Sequence, residues 1–424
     1  MTELGTAPDA SAPGRVQVSE LGPAFDLLAA LDDGGGFLME RGGVGVGASG
    51  EGEADTADGS GGADAIRDVG RAAMARLRAL ARDGTVPPVA VGALPFAGGD
   101  ATLRTPARLV RRTGPHEAWL VRIQPGGAGH TSFVPRPIGP AARPHRPFTD
   151  LQLTPVPPPA AYADSVRETT GRIHAGELRK VVLARQIRVD AGRPLEPRLL
   201  AARLRAVDPD AYTFVAPTTG GVLVGASPEL LVSKHGSEIR STPLAGSAPR
   251  SGDPEEDRMN ARALETSAKN RDEHEIVVES VAETLGPFCD ELTWDREPVV
   301  LSTANVWHLS TRFRGTLRDP APHVLELVAA LHPTPAVCGS PPAVAAAIID
   351  EMEPSDRGSY AGPVGWIDAE GDGEWAIALR CAELAGDHAT LYAGAGIVEA
   401  SDPVDELDET ERKFRAFLDS LRWG

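Results

Sequence analysis

Apolar residues recur along this chain at two periods, and each change of period marks an element. Leu407, Phe414, Leu418 and Leu421 repeat at helical spacing, so residues 402–421 are predicted as a helix with one apolar face. Asp402 suits its N-cap, and Pro403 its first turn, where a missing N–H costs nothing. Further helices are predicted over 24–31, 65–83, 163–175, 195–206, 255–285, 324–331 and 342–351, the fifth of these as one long helix. The arginines of 65–83 read as a solvated face. Alternating or continuous apolar runs predict strands over 37–46, 89–96, 180–189, 212–217, 222–225, 230–234, 362–368, 374–384 and 389–393. Strands come as meanders between clustered helices and not in strict βαβ alternation. That order predicts an α+β fold with mostly antiparallel sheet.

Composition sharpens this picture. The first 16 residues read as a disordered tail. Residues 47–63, GASGEGEADTADGSGGA, read as a mobile acidic loop. A G-x-G-x-x-G match at 45–50 opens no amphipathic helix and reads as chance. Residues 134–159 are dense in Pro and basic side chains and read as a connection. No internal repeat is visible. Lys and Arg number 42 against 60 Asp and Glu, a net charge of −18. This balance excludes non-specific binding to nucleic acid or anionic membrane, and it means an anionic ligand needs local cations or a metal. The opening segment has neither a basic start nor an apolar core, and no run approaches about 18 apolar residues. No signal peptide or membrane span is therefore expected. Cys289, Cys338 and Cys381 are too scattered for a disulfide framework or a thiolate zinc site, and suit a cytoplasmic protein.

Several side chains could carry chemistry. On the 402–421 helix, Glu406, Glu409 and Lys413 lie within an arc of roughly 60° beside the apolar face. They read either as holders of a divalent cation and an anion, or as a solvated flank with an i,i+4 ion pair. On the long helix, Asn270 and Glu273 share a face. His274-Glu275 fails the zinc pattern because Val278 stands where the second histidine belongs. Glu229, between two strand-like runs, is either a turn acid or a general acid kept protonated by burial. Lys180 opens an apolar strand and is either a base in a pocket or an edge gatekeeper. Alternation puts Arg380 on a strand face with Ala376, Ala378 and Ala382, where an anion has room. Gly246 and Gly394–Gly396 sit in small-residue turns that could bring N–H groups to a carboxylate. His308 is a donor or a core histidine.

Read together, KVVLAR, GASPELL, PLAGSA, KNRDEH, VWHLST, HPTPAVCG, SYAGPVGW, ALRCAEL, YAGAGIV and ELDETERK run in order from Lys180 to Lys413. This ordered set resembles the chorismate-utilising enzymes, and among them the isochorismate synthases of siderophore and menaquinone pathways. The resemblance implies a large, mostly antiparallel β-sandwich with helices packed outside. In it, residues 17–155 supply the N-terminal portion and 156–422 the chorismate-binding catalytic domain. It implies that Glu273 and Glu409 hold Mg²⁺ directly and Glu406 through water, with Asn270 where an acid usually stands. It implies Lys180 as the base activating water for attack at C2, and Glu229 as the acid protonating the departing C4 hydroxyl. Tyr360, Arg380 and the Gly394–Gly396 backbone match the grip on the side-chain carboxylate. Gly246, His308 and Lys413 match the rest of the pocket.

Within that family, ammonia-using members generally lack a lysine at position 180 and need a glutamine amidotransferase, so no such subunit is expected. Salicylate synthases share the lysine and resemble this chain less at Ala336, where they have Thr. The implied product is isochorismate, made by a monomeric, Mg²⁺-dependent isomerase. A salicylate synthase and a non-catalytic carboxylate-binding relative are the alternatives.

Overall fold

The computed structural model of the chain describes residues 15–22, 25–32, 35–50, 52–59, 62–81, 86–124 and 147–422. Among them, every strand pairing is antiparallel. A 12-stranded sheet faces a 9-stranded sheet, and a smaller 3-stranded sheet (Leu244–Pro249, Val306–Ser310, Val299–Ser302) stands beside them. The fold is α+β, as the period changes predict. Eight α-helices are described: α1 (Ala63–Leu80), α2 (Pro159–His174), α3 (Pro197–Val207), α4 (Pro254–Thr266), α5 (Ala268–Leu285), α6 (Val324–Leu331), α7 (Pro342–Met352) and α8 (Pro403–Arg422).

One core lies between the large sheets, where Val181 and Phe214 of one meet Val232 and Trp375 of the other. A second lies outside the 12-stranded sheet, under Leu200 and Leu204 of α3 and Phe414, Phe417, Leu418 and Leu421 of α8. The apolar stripe of α8 is thus spent on the sheet. Strands from both ends of the chain interleave. Phe37–Arg41 pairs with Tyr212–Pro217, and Val89–Ala93 with Pro363–Asp368.

Several expectations need correction. The predicted strand 37–46 is a hairpin, Phe37–Arg41 and Val44–Ser49, turning at Gly42 and Gly43, which both take positive φ (58° and 76°). Among its described residues the acidic 47–63 stretch is not one continuous loop. It carries the edge strand Glu53–Ala57, paired with Ala101–Thr105. Its acids are matched from α1: Arg76 donates to Asp55 at 2.7 and 2.9 Å and also pairs with Glu53. The α1 arginines are therefore not simply a solvated face. The short helix predicted at 24–31 is one 3-10 turn, Leu27–Ala30, capped by Asp26. The long helix at 255–285 is two. Ser267 leaves helical geometry (φ −68°, ψ 114°) and caps α5 by accepting from the Asn270 N–H. The 374–384 run is also two strands, Gly373–Ile377 and Cys381–Ala385, so Arg380 is not on a strand face. In the predicted connection 134–159, Gln152–Val156 is a strand, and 134–146 lie outside the described residues. Of the predicted tail, 1–14 also lie outside them, and Arg15 opens the strand Arg15–Leu21.

Candidate active site

The site lies where the chain passes between the two large sheets. Val222–Ser227 belongs to the 12-stranded sheet and Leu230–His235 to the other, so Ser227-Pro228-Glu229 is a crossing. Gly373–Ile377 and Cys381–Ala385 are divided the same way, so Ala378-Leu379-Arg380 is a second crossing. The two run side by side: the Ile377 N–H donates to the Glu229 carbonyl (3.1 Å) and the Ala226 N–H to the Arg380 carbonyl (3.3 Å). Arg380 takes a left-handed φ of 50°. This is a costly conformation for a side-chain-bearing residue, and here it turns the guanidinium off the strand path.

A cleft opens on these crossings. It is lined by Glu229, Gly246, Glu273, His308, Ala336, Tyr360, Arg380, Gly394, Gly396, Glu409 and Lys413, which come from nine separate stretches of sequence. Two predicted residues do not line it. Lys180 is fully buried just behind the wall, with its Nζ 3.1 Å from Glu273 Oε1. Glu406 is also buried, and pairs with Lys269 of α5.

Each of the three candidate metal acids is closed on a lysine. Glu273 faces Lys180, Glu406 faces Lys269, and Glu409 Oε1 lies 2.6 Å from Lys413 Nζ. Lys413 also donates to the Gly394 carbonyl at 2.7 Å. Among the described residues no three acidic, histidine or cysteine side chains gather into a preformed metal centre. The cleft nevertheless presents two carboxylates, Glu273 and Glu409, on helices α5 and α8. These hard oxygen donors suit Mg²⁺, which keeps several waters and needs few protein ligands. Glycine at 396 is what lets Glu273 reach the cleft, because a Cβ there would stand 2.1 Å from Glu273 Oε1. Two carboxylates facing one cleft are a donor set that fits a divalent cation.

Burial and charge set the protonation of the acids. Burial pushes the Glu229 carboxyl up to about 8, against the Leu244 N–H, Lys180, Arg380 and Lys413, so it is protonated at neutral pH. Burial would also raise Glu409, but Lys413, the Ser247 hydroxyl and Lys269 hold it down at about 2. Burial and the neighbouring Glu409 charge push Glu406 up to about 7. His308 is driven down to about 3 by burial and then by Arg380 and Lys413, so its ring is neutral. Its Nδ1–H donates to the Gly246 carbonyl (3.1 Å), and Nε2 accepts from Arg380 Nη2 (2.8 Å). Tyr360 stacks on Tyr392 with ring centroids 4.9 Å apart.

Three contributors escape sequence reasoning. Lys269 and Ser247 sit inside the quoted motifs KNRDEH and PLAGSA, but their partners, Glu406 and Glu409, are more than a hundred residues away. Arg185, inside KVVLAR, is buried against α8. It donates to Thr410 Oγ1 at 2.8 Å and pairs with Glu411, docking the helix that carries Glu409 onto the strand that carries Lys180.

Comparison with known proteins identifies the family and the fold. Residues 140–422 match the family model described as chorismate binding enzyme. The chain is 41% identical over 363 residues to the isochorismate synthase DhbC of Bacillus subtilis, covering 83% of this chain and 85% of that protein. It is 40% identical over 264 residues to the isochorismate synthase EntC of Escherichia coli K12, covering 62% and 67%. The crystal structure of DhbC from Bacillus anthracis superposes with a TM-score of 0.79 at 35% identity, covering 93% of this chain and 98% of that one.

Proposed function

This chain belongs to the chorismate binding enzymes, and on that premise we propose that it is an isochorismate synthase, converting chorismate to isochorismate. The observation that carries the chemistry is Glu229, a fully buried carboxyl at the crossing between the sheets, pushed toward its protonated form by burial and facing a cleft that also holds Arg380 and Lys413. The substrate is a dianion, and Arg380 and Lys413 offer it the local positive charge that the net −18 of the chain does not.

In this reading Arg380, Tyr360 and the Gly394–Gly396 backbone receive the side-chain carboxylate. For this role Lys180 must leave its pairing with Glu273 and reach the cleft as the free amine; it then takes a proton from the water that attacks C2, and Glu229 gives its proton to the C4 hydroxyl, which leaves as water. One hydroxyl enters as another departs, so the product is an isomer. Lys180 has then gained the proton of the attacking water while Glu229 has lost its own to the departing one, and exchange through solvent resets the pair. Glu273 and Glu409 would hold Mg²⁺, with Glu406 reaching it through water. When bound, the ion neutralises the ring carboxylate.

Ala336 lines the cleft where the resemblance gives salicylate synthases a Thr, which supports isochorismate as the product over elimination of pyruvate. Lys180 supports water, not ammonia, as the nucleophile, so no amidotransferase subunit is expected. Among the described residues no helix is long and apolar enough to cross a membrane, and three buried, unbridged cysteines suit a reducing compartment. We place the protein in the cytoplasm as a monomer, feeding siderophore or menaquinone synthesis. Incubating purified protein with chorismate and Mg²⁺ tests the central claim. Isochorismate is the expected product; salicylate, anthranilate or no turnover would count against it.

A further inference from the structure

We propose that Asn270 is a positioning residue for the substrate grip: it holds the Gly246–Ser247 turn, and through that turn His308 and Arg380. The inference rests on the chorismate reading above. It differs from the metal-side role that the family resemblance implies for this position.

Both polar atoms of Asn270 are engaged away from the acids. Nδ2 donates to Ser267 Oγ at 2.8 Å, and Oδ1 accepts the Ser247 N–H at 3.2 Å. Asn270 does not line the cleft, whereas Gly246 and Ser247 do. The geometry follows from the helix start. Ser267 caps α5, and the third residue of a helix ordinarily reaches back to the cap. Here the amide bonds the cap hydroxyl with one end and turns its oxygen outward to the neighbouring strand. The turn is pressed tightly onto it. Gly246 has φ +70°, and a Cβ there would stand 2.9 Å from the Asn270 Cβ.

From that turn the path is continuous. The Gly246 carbonyl can only accept, so it fixes His308 with its proton on Nδ1. That leaves a lone pair on Nε2 for Arg380, 2.8 Å away. Arg380 sits on a crossing with strained backbone, so a side-chain partner is what aims its fork. Removing the Asn270 oxygen frees the Ser247 N–H, loosens the turn and lets His308 and Arg380 drift. The Ser247 hydroxyl also bonds Glu409, so the same loosening reaches a proposed Mg²⁺ ligand, and binding is therefore compared without metal.

The experiment is chorismate binding to the full chain by isothermal titration calorimetry in EDTA. Wild type is expected to bind. Asn270→Ala is expected to weaken binding about tenfold, the factor that loss of one well-placed hydrogen bond produces. Asn270→Asp keeps an oxygen for the Ser247 N–H and is expected to stay within about threefold of wild type. In a His308→Ala background, Asn270→Ala is expected to cost less than about threefold, because the path is already cut. If Asn270→Ala fails to fold by circular dichroism, Asn270→Ser, too short to reach Ser247, takes its place. The proposal is overturned if Asn270→Ala binds like wild type, if Asn270→Asp loses as much as Asn270→Ala, or if the tenfold loss persists without His308. It is also overturned if wild type binds only with Mg²⁺, since the grip is then not preformed. Turnover by wild type with Mg²⁺ is measured on the same preparation. Its failure would strike the synthase reading while leaving the binding comparison intact.

Discussion

Replacing Glu229 by Gln removes one proton and little else. The side chain is 2% exposed, lies at the crossing between the sheets, and is uncharged at neutral pH. The rise of its carboxyl from 4.5 to about 8 corresponds to roughly 5 kcal/mol against the charged form. Gln keeps the volume and neutrality of the protonated acid, so the fold should tolerate it. It cannot protonate a leaving hydroxyl. General acid catalysis contributes about 10²–10⁴-fold, so kcat for isochorismate formation should fall by at least about 100-fold. The wild-type rate, followed by chromatography of the product, should decline as pH rises through about 8, and the residual rate of Glu229→Gln should not. Stability carries the same sign. A carboxyl whose folded value is raised contributes stability fully below about 4.5 and loses that contribution as pH rises through about 8. The melting temperature of wild type should therefore drop relative to Glu229→Gln between pH 7 and 9. Glu229→Gln retaining kcat within tenfold, or a wild-type rate flat from pH 7 to 9.5, would refute the general-acid role.

Lys180→Met should lower kcat at least about 100-fold while the circular dichroism spectrum stays native; activity within tenfold of wild type would remove Lys180 from water activation. Gly396→Ala places a Cβ 2.1 Å from Glu273 Oε1, so Glu273 must move. The Mg²⁺ concentration for half-maximal turnover should then rise about tenfold or more, and an unchanged Mg²⁺ titration would exclude Glu273 from holding the ion. Treatment with EDTA should abolish turnover and added Mg²⁺ restore it; full activity in EDTA would exclude the metal.

Much of the fold is legible locally because hydrophobic period reflects the geometry of a single element. The α8 stripe of Phe414, Leu418 and Leu421 marks a helix whatever it packs on, and the apolar run from Lys180 marks a buried strand. What misleads is what has no local signature. Ser267 breaks a helix whose periodicity runs on through it, because a capping hydroxyl outweighs continuity there. Glu53 and Asp55 look like loop acids until Arg76, on a different element, supplies their charge partner. Arg380 alternates like a strand residue, yet the chain changes sheets at that point.

The sequence alone determined most of the helices, the mostly antiparallel class and the residue types available for acid–base and anion chemistry, because these depend on neighbours along the chain. Only the tertiary structure decided which of those residues meet. Glu229 keeps its proton because two sheets close around it, and Glu273, Glu406 and Glu409 each face a lysine brought from another turn or element. Desolvation and Coulomb energy act through space, so the charge state of each group follows from the packing and not from its place in the chain.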